Sequence, residues 1–471
     1  MIFTEPRFLA FFAVVWFLHW ITPRHWARKV LLLVASYAFY AAWDWRFLSL
    51  MLASTVVDYV AARGMGVKVQ GERVRRRRLW LTLSLLSNLG MLGVFKYFDF
   101  FSESTRYLLA EAGMKVSPLT LEVTLPVGIS FYTFQTLSYS IDVYRGRLEP
   151  KRSFLDVAVF VAFFPQLVAG PIVRARDFFF QLEAPRRLGR VRVRRALALF
   201  LVGFIKKACV ADNVATMVDA YYATPHLYDA KGAWLATMGY SIQIYCDFSG
   251  YSDMAIATAA LLGYNLCRNF DHPYLSTDIQ EFWRRWHISL SSWLRDYLYI
   301  SLGGNRGSTL FRYRNLMLTM LLGGLWHGAS WNFVVWGGLH GFALIFHQVW
   351  SKRLAWLPRR TWPYRGLALL LTYYWVCLAW VFFRAQDWSG AFVAARSWVT
   401  FYSPGTKSFN LSWLVIFVGF GVAHGVAHRL RERNWPERVP DWLFAPAYGV
   451  AWAATLAFIP SEAAPFIYFQ F

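Results

Sequence analysis

Two histidines, His287 and His327, stand in surroundings that a helical membrane protein does not need for packing alone. His327 sits in Gly323-Gly324-Leu325-Trp326-His327-Gly328, inside a stretch from Leu316 to Trp350 whose only ionisable side chains are histidines. A titratable group in an apolar span is expensive to keep and is a functional hypothesis by default. The glycines beside it let another backbone or a ligand come close. A neutral imidazole, with a reference pKa near ~6.5, can accept a proton from a reacting group, which makes His327 a candidate general base. His287 belongs to EFWRRWHISLSSWLRDYLYI, together with three cations, Arg284, Arg285 and Arg295.

The element holding His287 reads as one helix. Thr277 and Gln280 have capping-box spacing, and Gly303-Gly304 stops the run. Within it Trp283, Trp286, Leu290, Trp293 and Tyr297 form one apolar stripe, with Arg284, His287, Ser291 and Arg295 on another face. That pattern predicts an interfacial helix lying along a membrane surface, with His287 on its polar side. The stretch Leu316 to Trp350 predicts a pair of spans.

Composition sets the class. Of 471 residues, 57% are hydrophobic and only 16% charged, too apolar a balance for an ordinary soluble protein. We expect an all-α, polytopic integral membrane protein with roughly 10 to 13 transmembrane or re-entrant helices and interfacial helices, in one membrane-embedded domain over residues 1–471. The formal charge of +22 is concentrated in short connectors between apolar runs. That is the signature of cytoplasmic loops and membrane lipid contact, and it argues against nucleic acid as a partner. Arg145 to Arg152 and Arg174 to Arg195 are both strongly basic although only Phe154 to Val173 separates them. Pro165 and Gly170-Pro171 interrupt that run and Pro126-Val127-Gly128 opens the one before it, so broken or re-entrant helices are expected there, with Arg147 and Arg187 on the same side.

Other polar groups have plainer readings. Asp247 and Asp253 are expected to be structural partners of intramembrane polar groups. His424 and His428 have the four-residue spacing of a helical metal pair but lack the glutamate of a metalloprotease motif, so an interfacial place is favoured and no metal is expected. His340 and His347 read as packing or interface residues. Cys209, Cys246, Cys267 and Cys377 are dispersed and indicate neither a disulfide framework nor a zinc site.

WRRWHISLSSWLRDYLYI followed by GLWHGASWNFVVWGGLHG resembles the membrane-bound O-acyltransferase (MBOAT) family, and so do LPVGISFYTFQTLSYSIDVYR, FFPQLVAGPIVR, YCDFSGYSDMAIATAALLGY, NFDHPYLSTDIQEFWRRWH, WVFFRA and FIYFQF. Within that family the pattern is most like the bacterial alginate O-acetyltransferase branch. The resemblance implies that His327 is the catalytic residue and that His287 supports it by orienting donor or acceptor. It implies no bound cofactor, with acetyl-CoA as acyl donor entering from the cytoplasm at the bacterial inner membrane. Arg284, Arg285 and Arg295 are then candidates for the donor's phosphates, with anchoring to anionic lipid as the alternative. The same resemblance implies O-acetylation of an extracytoplasmic polysaccharide, with a separate periplasmic esterase-like acetyltransferase and the polysaccharide assembly machinery as partners. A D-alanyl transferase for teichoic acid is the rival within the family, and a transporter or lipid flippase the rival outside it.

Overall fold

A computed structural model describes residues 1–66, 74–114, 116, 117, 119–121, 124–353, 361–430, 435–460 and 464–467. Parts of the basic connectors (67–73, 354–360 and 431–434) and the last four residues of FIYFQF therefore lie outside the described residues. The described chain is helical, and its one extended pairing is an isolated bridge between Tyr228 and Lys407.

Among the described residues, five helical stretches are long and apolar enough to cross a membrane: His25–Met65, Val74–Glu111, Trp331–Arg353, Trp362–Arg384 and Trp413–Leu430, with the shorter apolar helix Pro6–Ile21 preceding them. The first is 41 residues long, about twice what a bilayer of ~30 Å requires at ~1.5 Å per residue. It divides at Asp44, whose extended backbone (φ −157°) separates His25–Asp44 from Leu48–Met65. The protein is a multi-pass membrane protein.

The chain packs as two units interleaved in sequence: Met1–Ala196 with Ala255–Cys267, and Leu197–Met254 with Arg268–Phe471. In the first, the expected breaks are present. Gly128, in the left-handed region (φ 77°), opens the helix Ile129–Tyr144, which is buried along most of its length. Phe154–Ala162 ends at Phe163, and a four-residue helix, Phe164–Leu167, follows with Pro165 in its first turn. A Cβ at Gly128 would come within 2.9 Å of the Leu167 carbonyl oxygen. Irregular backbone is thus enclosed by protein, the one setting in which a membrane protein tolerates it.

In the second unit, Thr309–His327 and Trp331–Arg353 form the predicted hairpin. They pack backbone to backbone. A Cβ at Gly324 would lie 2.2 Å from the Phe333 carbonyl oxygen, and one at Gly337 would lie 2.3 Å from that of Met320. The same unit contains a buried ion cluster, with Lys207 Nζ 2.6 Å from Asp247 and 2.7 Å from Asp212, and a half-buried pair, with Lys206 2.7 Å from Asp253. Ile467 N–H donates to Asp247 at 2.8 Å, tying the C-terminal segment to this group. Asp247 and Asp253 are therefore structural partners of lysines, as their sequence setting indicated.

Candidate active site

His287 does not sit on a continuous helix. The helix Ile279–Arg285 ends at Trp286, which is extended (φ −96°, ψ 129°), and His287 is left-handed (φ 42°, ψ 54°) before Ile288–Trp293 begins. A π-helical turn, Leu294–Tyr299, completes the segment. The N-cap also differs from expectation. Asp278 accepts from Glu281 N–H at 2.7 Å, and the Glu281 carboxylate reaches back to Thr277 N–H at 2.8 Å, so the capping box is Asp278 with Glu281.

The break has a tertiary cause. Asp271 N–H donates to the Arg285 carbonyl (2.9 Å) and Ile288 N–H donates to the Asn269 carbonyl (2.8 Å), so the preceding loop takes the backbone groups that a helix would have paired internally. A left-handed non-glycine residue costs ~1–2 kcal/mol. Two backbone bonds and the side-chain bonds of Asn269, at ~1 kcal/mol each, offset it.

The apolar stripe survives the break, with Trp286, Leu290, Trp293 and Tyr297 buried. On the predicted polar face Arg284 and Arg295 are exposed, but His287 is fully enclosed at 0% exposure. Its surroundings fix its chemistry. Asn269 Oδ1 accepts from Ser289 N–H (3.2 Å) and Ser289 Oγ (2.8 Å), and His287 Nδ1 lies 3.1 Å from the same oxygen. An amide oxygen only accepts, so Nδ1 carries the proton and Nε2 presents its lone pair. Nε2 has no hydrogen-bond partner among the described residues. His287 lies between two helices too short to cross a membrane, and burial pushes its pKa down to about 3. It is thus a neutral acceptor at any working pH, suited to orienting a hydroxyl, and too weakly basic to hold the proton.

His327 closes the helix Thr309–His327, and the chain turns outward at Gly328 (φ −159°, ψ 151°). A Cβ at Gly328 would fall 2.1 Å from the Phe333 ring, so this glycine lets Phe333 pack under the turn. His327 is 5% exposed. Its ring meets Trp326 (5.0 Å), Trp336 (5.0 Å) and Phe383 (5.1 Å), each edge to face. Trp326 also meets the His287 ring at 6.2 Å, so the two histidines predicted from sequence flank one indole. Trp336 continues the row to His340 at 4.8 Å. His340 is fully buried among Phe282, Trp283, Trp336 and Trp380, which is the packing role expected of it. His347 lies 3.8 Å from Asp278.

The three arginines are not gathered into one cradle by their own contacts. Arg284 is exposed, Arg285 pairs with Glu281 at 2.6 Å, and Arg295 pairs with its neighbour Asp296 at 2.7 Å. Asn269 and Ser289, which orient His287, were missed by sequence reasoning. Asn269 lies 18 positions from the histidine it holds, and no periodicity marks it.

Comparison with known proteins converges on the same segment. Residues 37–370 match the membrane-bound O-acyltransferase family, a range that includes both histidines, Asn269 and Trp326. The chain is 43% identical over 408 residues to the probable alginate O-acetylase AlgI of Azotobacter vinelandii, covering 86% of this chain and 79% of that one. It is 38% identical to the peptidoglycan O-acetyltransferase of Helicobacter pylori (85% and 80% covered) and 29% identical to the teichoic acid D-alanyltransferase of Streptococcus thermophilus (55% and 68%). With two buried histidines on one indole inside a matched range of this extent, the chain belongs to the membrane-bound O-acyltransferase family and is an O-acyltransferase.

Proposed function

We propose that this enzyme moves an acetyl group from a cytoplasmic thioester donor, acetyl-CoA, across the bacterial inner membrane toward O-acetylation of an extracytoplasmic polysaccharide such as alginate. The pair His287 and His327 on Trp326 carries this reading, because acyl transfer to a hydroxyl needs one group to orient the acceptor and another to take the proton of the reacting hydroxyl. His327 is the general base. His287 Nε2 accepts from a neighbouring donor group of the acceptor and so orients it, leaving the reacting hydroxyl's proton to His327, and the aromatic walls keep water from hydrolysing the thioester. Exposed Arg284 offers the first contact for the donor's phosphates, and Arg285 and Arg295 join it by exchanging their carboxylate partners. The acetyl group passes to the polymer directly or through a separate periplasmic esterase-like acetyltransferase that works with the polysaccharide assembly machinery. The acetyl assignment is supported by the names of the relatives at 38–43% identity, alginate O-acetylase and peptidoglycan O-acetyltransferase, which match most of this chain.

The test is the ester content of envelope and secreted polysaccharides in a strain lacking this protein, complemented with wild type or His327→Ala at matched membrane abundance. Wild type should restore O-acetyl esters, and His327→Ala should restore ~10²- to 10⁴-fold less in initial rate. Equal restoration by both would make His327 a packing residue. Recovery of ester-linked D-alanine with no change in acetate would move the enzyme to the D-alanyl branch.

A further inference from the structure

Away from the acyl-transfer histidines, the same unit gathers a second set of ligating side chains. Asp271 and His272 lie in the loop that ends at Pro273, and His428 lies in the last turn of Trp413–Leu430. One donor atom from each lies within 4.8 Å of the other two. The His272 ring is 5.2 Å from that of His428, and its Nδ1 is 3.3 Å from Asp271 Oδ1. Donors around a tetrahedral zinc at ~2.1 Å sit about 3.4 Å apart, so side-chain rotation closes the set.

Two features show that the place is built. The loop backbone is anchored at two points just before His272, by Asp271 N–H on the Arg285 carbonyl and by the Asn269 carbonyl accepting from Ile288 N–H, and His272 is in the left-handed region (φ 52°). One turn before His428 on the same helix, His424 is 6% exposed and packs edge-on to His272 at 5.0 Å. The His272 backbone carbonyl accepts from one nitrogen of that ring. Its Nε2 has no hydrogen-bond partner among the described residues. Ligating histidines commonly hold a carbonyl with one nitrogen and present the other.

We propose that Asp271, His272 and His428 bind one divalent transition-metal ion of the zinc class, with His424 lining the fourth position. Two imidazoles and a carboxylate suit a borderline ion, whereas magnesium prefers an all-oxygen shell and keeps its waters. Nearby cations do not forbid the charge. Lys206 is neutralised by Asp253 at 2.7 Å, and Arg268, 3.4 Å from Asp271, has a half-exposed side chain that can swing away. The ion would fasten the end of Trp413–Leu430 to the loop whose Asn269 sets the His287 tautomer. It is a structural clamp, and its existence does not depend on which acyl group or polymer the enzyme handles.

The experiment uses the full-length, tag-free protein in detergent, stripped with chelator and titrated with Zn²⁺ or Mg²⁺, with metal uptake and melting temperature as readouts. Wild type should take up one Zn²⁺ per chain with a rise in melting temperature, and no Mg²⁺ at equal concentration. His428→Ala and His272→Asn, the latter keeping a side chain that tolerates left-handed backbone, should each weaken Zn²⁺ uptake at least tenfold and abolish the thermal shift. His226→Ala, at an exposed histidine elsewhere, should bind as wild type. Absence of stoichiometric Zn²⁺ uptake by wild type overturns the proposal, as does undiminished uptake by both site variants or equal loss in the His226 variant. Should the site variants fold poorly, the wild-type titration alone still decides.

Discussion

At the residue scale the decisive atom is Asn269 Oδ1, which collects Ser289 N–H, Ser289 Oγ and His287 Nδ1 and so turns a histidine into a fixed acceptor. His287 has its pKa lowered by burial, to about 3, and therefore stays uncharged through the physiological range. Its charged form is populated only as pH falls towards that value, so wild-type activity should show no acid limb from His287 above about pH 5. Asn269→Asp reverses this. A carboxylate keeps the acceptor but favours the imidazolium, which raises the His287 pKa and removes the lone pair when protonated. Its pH–rate profile should lose activity on the acid side, with a midpoint above the wild-type one. The alkaline side should be retained, and an unchanged profile would mean that His287 is not used as an acceptor.

At the element scale the hairpin of Thr309–His327 and Trp331–Arg353 places His327, and glycine makes the hairpin. Gly324→Ala and Gly337→Ala force a methyl to 2.2–2.3 Å from a carbonyl oxygen of the facing helix. Each should cost about 1–3 kcal/mol by overpacking, read as a lower melting temperature in detergent. Gly338→Ala, whose nearest neighbour would be the Leu321 side chain at 3.7 Å, should be tolerated. A uniform response across the three would show that close backbone approach is not what sets the pair's geometry. Much of this element was legible in advance, because glycine at close spacing in an apolar run has few other uses. The helix around His287 was not. Its three-and-four periodicity correctly marked the buried stripe, but periodicity carries no information about a loop that captures two backbone groups and breaks the helix.

At the scale of the whole molecule, the helical membrane architecture was written in composition, and the broken helices in the positions of Pro165, Gly128 and Gly170. Burial of that irregular backbone in protein supports a re-entrant path from Phe154 to Val173. Cysteines introduced at Arg147 and Arg187 should therefore react with a membrane-impermeant reagent from the same side, and opposite sidedness would require a full crossing between them. The C-terminal segment is held by the Asp247 carboxylate, itself paired with Lys207. Removing one partner of such a buried pair leaves an uncompensated charge, at a cost of about 3–5 kcal/mol.

By itself the sequence determined the helical membrane class, the hairpin and the family resemblance, and it singled out the two histidines, because each of these follows from local spacing and composition. Tertiary structure decided three things. It turned His287 from a surface position into an enclosed one, it supplied Asn269 as the group that fixes the tautomer, and it brought Asp271 and His272 to His428. His424 and His428 had read as interfacial because they lack the glutamate of a metalloprotease motif, and Asp271 and His272 lie more than 150 positions earlier in the chain. Such meetings depend on chain reversals and on which backbone groups a loop captures, and neither leaves a period in the sequence.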